Sequence, residues 1–132
     1  KYQVILTVGS QESCECELDQ TSDFIVAIGS NKMGEGDPAL GTALMKAFIF
    51  ALTKQNQFPT TMLFFNSGAY LTCQDSDVLE DLKTLESKGV EIFTCGTCLN
   101  FYGLNEKLAI GSVTNMYDIV EKMEKAGKVV KP

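Results

Sequence analysis

The residue types and spacing most able to do chemistry are the two thiols of Cys95-Gly96-Thr97-Cys98, directly after the apolar run Val90-Glu91-Ile92-Phe93-Thr94. Thiolate is the nucleophilic form of cysteine, and its fraction rises where positive potential or unpaired N–H groups meet the sulfur. The segment that follows, Leu99-Asn100-Phe101-Tyr102, can start a helix, whose N-terminal end supplies both. Gly96 lets backbone amides come close to the Cys95 sulfur. Such a pair suits attack on a sulfur–sulfur bond. The alternative is two half-buried structural thiols, because free Cys is often simply core. Placement at the carboxyl end of a central strand favours function, since open parallel sheets bind ligands at that edge.

Much other chemistry is excluded. The chain has no His, so a Ser-His-Asp triad, a Cys-His dyad and His-ligated zinc are impossible. It has no Trp, leaving 8 Phe and 4 Tyr for any aromatic platform. With Lys+Arg 11 against Asp+Glu 17, the net charge of −6 repels phosphate backbones, so no nucleic-acid partner is expected. The five cysteines are odd in number and include a C-x-x-C, which reads as a reducing, cytoplasmic setting rather than a disulfide framework. Cys14-Glu15-Cys16 together with Cys95 and Cys98 would supply four thiolates for zinc, but C-x-C lacks the usual ligand spacing, and neither metal nor cofactor is assigned. Cys73 reads as a half-exposed bystander.

Two further segments fall at strand ends. Gly34-Glu35-Gly36 follows the first strand of the main domain, but it lacks the G-x-G-x-x-G spacing and the Walker lysine, and Glu35 and Asp37 oppose phosphate. It reads as a turn presenting a partner surface or as a tight crossover. Asn66-Ser67-Gly68 follows the second strand, where its polar groups suit either an anion or ordinary turn chemistry. Gly34, Gly36, Asn66, Ser67, Gly68 and Gly96 are the candidate binding residues around the candidate catalytic pair Cys95 and Cys98.

The elements that position these groups alternate regularly. At 132 residues the chain has the length of one ordinary domain. Residues 1–20, a strand at Tyr2–Val8 and the acidic stretch Gly9–Gln20, read as a residual strand and linker from an upstream domain, with an edge strand of the main sheet as the alternative, and residues 21–132 as an α/β domain. Phe24–Ile28 and Thr61–Phe65 are continuous apolar runs, as in strands buried on both faces. Helices are expected from Pro38, capped by Asp37, to about Gln55; over Ser76–Lys88, with Val78, Leu79, Leu82 and Leu85 inward; and over Asn115–Ala126, capped by Thr114, with Met116, Ile119, Val120 and Met123 inward. A short fourth strand near Ile110–Val113 and a last one at Lys128–Val130 complete a mostly parallel sheet of about five strands with helices on both faces. The first helix is apolar nearly all round. Leu40, Leu44, Ala47, Phe48 and Ala51 form one face, yet Met45, Ile49, Phe50 and Leu52 cover the rest, which implies a second cover and a homo-oligomer. The longest apolar stretch, Leu40–Leu52, is interrupted by Lys46 and too short to span a bilayer.

On Phe64-Phe65-Asn66-Ser67-Gly68 and the stretch Phe93–Gly103, in which Cys95 stands eight residues before Gly103, the sequence resembles the DsrE/DsrF-like sulfur-relay family. Ser30–Asp37, Cys95–Leu99 and Val113–Val120 are similar to the C-terminal domain of YedF-type proteins linked to selenium metabolism, in which a TusA-like domain precedes the DsrE-like one. The resemblance implies a flavodoxin-like, three-layer DsrE-like sandwich. It also implies a persulfide on Cys95 that accepts sulfur or selenium from one pathway protein and passes it to another. One departure is plain: TusD-type members carry basic residues shortly after the cysteine, and here those positions are Phe101 and Tyr102, which leaves a Cys95 thiolate less stabilised. Two other functions compete with sulfur transfer. One is a non-catalytic oligomeric binding module of the same pathway; the other is thiol–disulfide exchange between Cys95 and Cys98.

Overall fold

The computed structural model describes residues 23–132. The expected strand and linker at residues 1–20, with Cys14 and Cys16, lie outside the described residues.

Four strands read from apolar runs are present with edges shifted by a residue or so. They are β1 (Ile25–Ile28), β2 (Thr61–Phe64), β3 (Glu91–Cys95) and a terminal strand, Val129–Val130. A further strand, β4 (Ser112–Thr114), overlaps the position expected for it and ends one residue later, making the terminal one β5. The sheet order is β4-β3-β2-β1-β5, and every neighbouring pair is parallel. All residues of β1 and β2 are buried, which explains why these strands show no alternation of apolar and polar residues.

The helices are α1 (Pro38–Thr53), α2 (Leu79–Ser87), α3 (Gly96–Phe101) and α4 (Met116–Lys125), with a 3-10 helix at Asn66–Thr72 after β2. Asp37 caps α1 as expected, its carboxylate accepting from the N–H of Ala39 at 2.8 Å with Pro38 at the first position. One face of the sheet, through Val26, Ile28, Met62, Phe64 and Ile92, packs with Met45, Ile49 and Leu52 of α1 and Leu82 and Leu85 of α2. The other face, through Ile25, Leu63, Phe93 and Cys95, packs with Ile119 and Met123 of α4.

Four local expectations are corrected. The second helix starts at Leu79 rather than Ser76. The cap of α4 is Asn115, whose side chain accepts from the Asp118 N–H at 2.9 Å, because Thr114 is still in β4 and spends its hydroxyl on the Asp118 carboxylate. Met116 and Val120 of α4 are exposed, since only the Ile119 side of this helix meets the sheet. In α1 the core stripe is Gly41, Met45, Ile49 and Leu52; Leu40, Leu44, Ala47 and Ala51 face outward. An all-round apolar helix carries no periodic mark of which side turns inward.

Candidate functional site

Because all five strands run the same way, the segments after β1, β2, β3 and β4 gather at one edge. Hydrogen bonds join three of them. The Asn31 N–H donates to Ser67 Oγ at 3.2 Å, linking the loop after β1 to that after β2. The Asn66 N–H donates to Cys98 Sγ at 3.0 Å, linking the segment after β2 to α3. Tyr102, one turn beyond Cys98, donates its hydroxyl to Asn66 Oδ1 at 2.9 Å.

The two candidate thiols are placed differently. β3 runs through Cys95, so its side chain follows Phe93 onto the sheet face covered by α4, where it is only 1% exposed. The expectation of an open Cys95 sulfur at the rim is therefore not met. Cys98, on α3, is the partly exposed one and opens into a cavity of about 360 Å³. Phe65, Asn66, Thr97, Phe101, Tyr102 and Met116 form the rest of its wall, so among the described residues no charged side chain lines it. Phe101 is 80% exposed at the mouth.

The electrostatics of Cys98 are mixed. Burial pushes its thiol up from the ordinary value; the Asn66 N–H pulls it down; the Cys95 thiol, through a hydrogen bond and its charge, pushes it up again. The net direction is upward. Both cysteines are free thiols, as is the buried Cys73, which belongs to a small cluster with Ala69, Leu99 and Leu104 rather than being half-exposed.

The remaining candidates are placed as follows. Asn66 lines the cavity and Ser67 braces the neighbouring loop. Gly68 serves close packing, because a Cβ there would stand 2.5 Å from the Ile28 carbonyl oxygen. A Cβ on Gly96 would press Val113 at 3.0 Å. Gly34 and Gly36 are exposed and do not line the Cys98 cavity; Gly34 takes a φ of 82°, the left-handed region, as a turn requires. Sequence reasoning missed Phe65, Thr97 and Met116 as cavity walls, and it noticed Phe101 and Tyr102 only as replacements for basic residues. A second cleft of about 370 Å³, between α1 and the 3-10 helix, is lined in part by Asn31, Lys46, Tyr70, Asp75, Asp77 and Lys107. Among the described residues, no three Cys, Asp or Glu side chains come together to hold a metal ion. Nor is any helix among them long and apolar enough to cross a membrane.

Comparison with solved structures places this fold among known ones. The ychN protein from E. coli aligns with a TM-score of 0.66 at 13% identity, over 85% of this chain and 100% of that one. A protein of unknown function, MTH1491 from Methanobacterium thermoautotrophicum, aligns with a TM-score of 0.62 at 15% identity, over 84% and 99%. BT1422 from Bacteroides thetaiotaomicron aligns with a TM-score of 0.57 at 13% identity, over 83% and 95%. At such identities the likeness is one of fold. No curated protein gives a significant sequence match. The sequence model of the DsrE/DsrF-like family, however, matches residues 41–132, which include α1 from Gly41 onward and everything after it. With well over half its length matched, and with the parallel five-stranded fold just described, the chain belongs to the DsrE/DsrF-like family.

Proposed function

We propose that the protein carries sulfane sulfur, or selenium by the same chemistry, as a persulfide on the Cys95/Cys98 pair, with Cys98 as the thiol that meets the donor. The observation carrying this reading is the Cys98 sulfur itself: open to a cavity and met by a backbone N–H at 3.0 Å. The Cys98 thiolate attacks the outer sulfur of a donor persulfide. A new sulfur–sulfur bond forms, the donor's breaks, and the electron pair leaves on the donor thiolate, so the step involves no net oxidation. An acceptor thiolate then removes the sulfur by the reverse exchange. Donor and acceptor would be proteins of a sulfur or selenium pathway in the reducing cytoplasm, where free thiols persist.

Mass spectrometry after incubation with a persulfide donor tests this. The wild type should gain one sulfur atom on Cys98, Cys98→Ser should gain none, and Cys95→Ser should still load. Loading of Cys98→Ser to the wild-type level would remove Cys98 from the account.

The packing of Cys98 against the buried cluster that contains Cys95 supports a second reading, thiol–disulfide exchange. A redox titration decides it: a pair with no two-electron potential in the physiological range cannot perform it. We also propose self-association through the outward α1 strip of Leu40, Leu44, Ala47 and Ala51. Leu44→Glu should then shift sedimentation toward the monomer, and a wild type that sediments as a single chain would end that proposal.

A further inference from the structure

We propose that Tyr102 is a positioning residue for Cys98, acting through Asn66: its hydroxyl holds the Asn66 side chain, and this keeps the Asn66 backbone in the conformation that aims its N–H at the sulfur. The inference rests on the reading of Cys98 as the working thiol.

Four observations carry it. Asn66 has a φ of 52°, one of only two non-glycine residues with positive φ among those described. That left-handed conformation costs an L-residue energy, and asparagine tolerates it best when its side chain is held locally. The Asn66 Oδ1 is held by the Tyr102 hydroxyl at 2.9 Å. Its N–H meets the Cys98 sulfur rather than another backbone carbonyl. Finally, Tyr102 and Cys98 are joined by the Tyr102 N–H to Cys98 carbonyl bond of 3.1 Å, and positions four apart share one helix face. The Tyr102 ring is itself fixed, 4.8 Å from that of Tyr70 and 5.2 Å from that of Phe101. A closed loop results: α3 fixes the spacing of sulfur and phenol, and Asn66 is bound to both.

The chemistry of the device is a neutral substitute for a cation. A sulfur in a cavity without charged walls has only dipoles to stabilise its anion, and a hydrogen bond to an ionised group is about twice as strong as one between neutral groups. The other titratable groups on this site are the Cys95 thiol behind Cys98 and the Tyr102 phenol itself. Tyr102→Phe keeps the ring and its packing and removes only the donor to Asn66.

The test is the pH profile of iodoacetamide alkylation of the full chain, followed at Cys98 by fragment-ion mass spectrometry. In Tyr102→Phe the midpoint should move up, and the rate at neutral pH should fall by about three- to tenfold, as expected for weakening one hydrogen bond to a charged group. The alkaline plateau should stay at the wild-type rate. Asn66→Ala should shift the midpoint as well, and Tyr102→Phe should add nothing in the Asn66→Ala background. An unchanged midpoint, a change confined to the plateau, or fully additive shifts in the double variant would each overturn the proposal, because each makes Tyr102 a packing residue only. No persulfide donor enters this assay. A failure of sulfur loading by the wild type would therefore count against the proposed function, whereas a failure here would count against Tyr102 alone.

Discussion

The backbone N–H of Asn66 donates to the Cys98 sulfur at 3.0 Å, although the two residues stand 32 positions apart in the chain. The contact forms because β2 and β3 are neighbouring parallel strands, so the first residues beyond them emerge side by side. It places an amide dipole at the one thiol among the described residues that opens to the cavity, while Cys95, at the end of β3, is covered.

This arrangement sets the pH dependence of Cys98. Burial is the largest influence and raises its thiol, so the alkylation midpoint should lie on the alkaline side of the free-cysteine value of about 8.5. The Cys95 thiol raises it further, so Cys95→Ala should move the midpoint down. A midpoint below the free-cysteine value, or one that Cys95→Ala leaves in place, would contradict the balance of forces described.

Thr72 and Thr94 form a buried hydroxyl pair at 2.7 Å that ties the 3-10 helix to β3. Thr72 gives its one proton to the Ala69 carbonyl at 3.1 Å, so Thr94 must be the donor within the pair. Thr72→Val strands the Thr94 donor and should cost about 1–3 kcal/mol, whereas Thr94→Val removes only the donor to Thr72 Oγ, which still bonds Ala69, and should cost about 1 kcal/mol. Urea denaturation of the two variants measures the difference, and equal losses would argue against this assignment of the protons.

Gly68 and Gly36 should respond differently to alanine. At Gly68 the added Cβ meets the rigid Ile28 carbonyl oxygen at 2.5 Å, and crowding of this kind costs about 1–3 kcal/mol. At Gly36 nothing lies within 4 Å, so Gly36→Ala should leave stability unchanged. Thermal melts of both variants check this; a neutral Gly68→Ala would mean that β1 and the 3-10 helix can part without loss.

Asp118, near the start of α4, is held below the usual carboxylate range. The Thr114 hydroxyl bond at 2.6 Å is the main cause; burial opposes it, and Lys122 at 3.2 Å lowers the carboxyl further. Its folded value lies under the unfolded one of about 3.9, so the stability it contributes is present above that pH and fades as pH falls through the folded value. Thr114→Val should bring the carboxyl midpoint in an NMR titration back up toward the unfolded value, and an unmoved midpoint would assign the effect to Lys122 instead.

The order of elements and the parallel sheet were legible in the sequence because burial on both faces forces unbroken apolar runs such as Ile25–Ile28, and because caps such as Asp37 mark helix starts locally. The same signals placed the C-x-x-C at the carboxyl edge. Which sulfur is open depended on the tertiary structure. Extending β3 by one residue to Cys95 hands that side chain to the face under α4, and α3 then turns Cys98 outward. The partner of the open sulfur lies on another strand's exit, and the Tyr102 hydroxyl that holds that partner finds it only across the fold. The inward side of α1 was likewise settled by its neighbours, since a helix apolar all round can turn any side to the core. Patterns along the chain record what each residue buries; which groups meet across the sheet edge is decided when separate strands are brought into register.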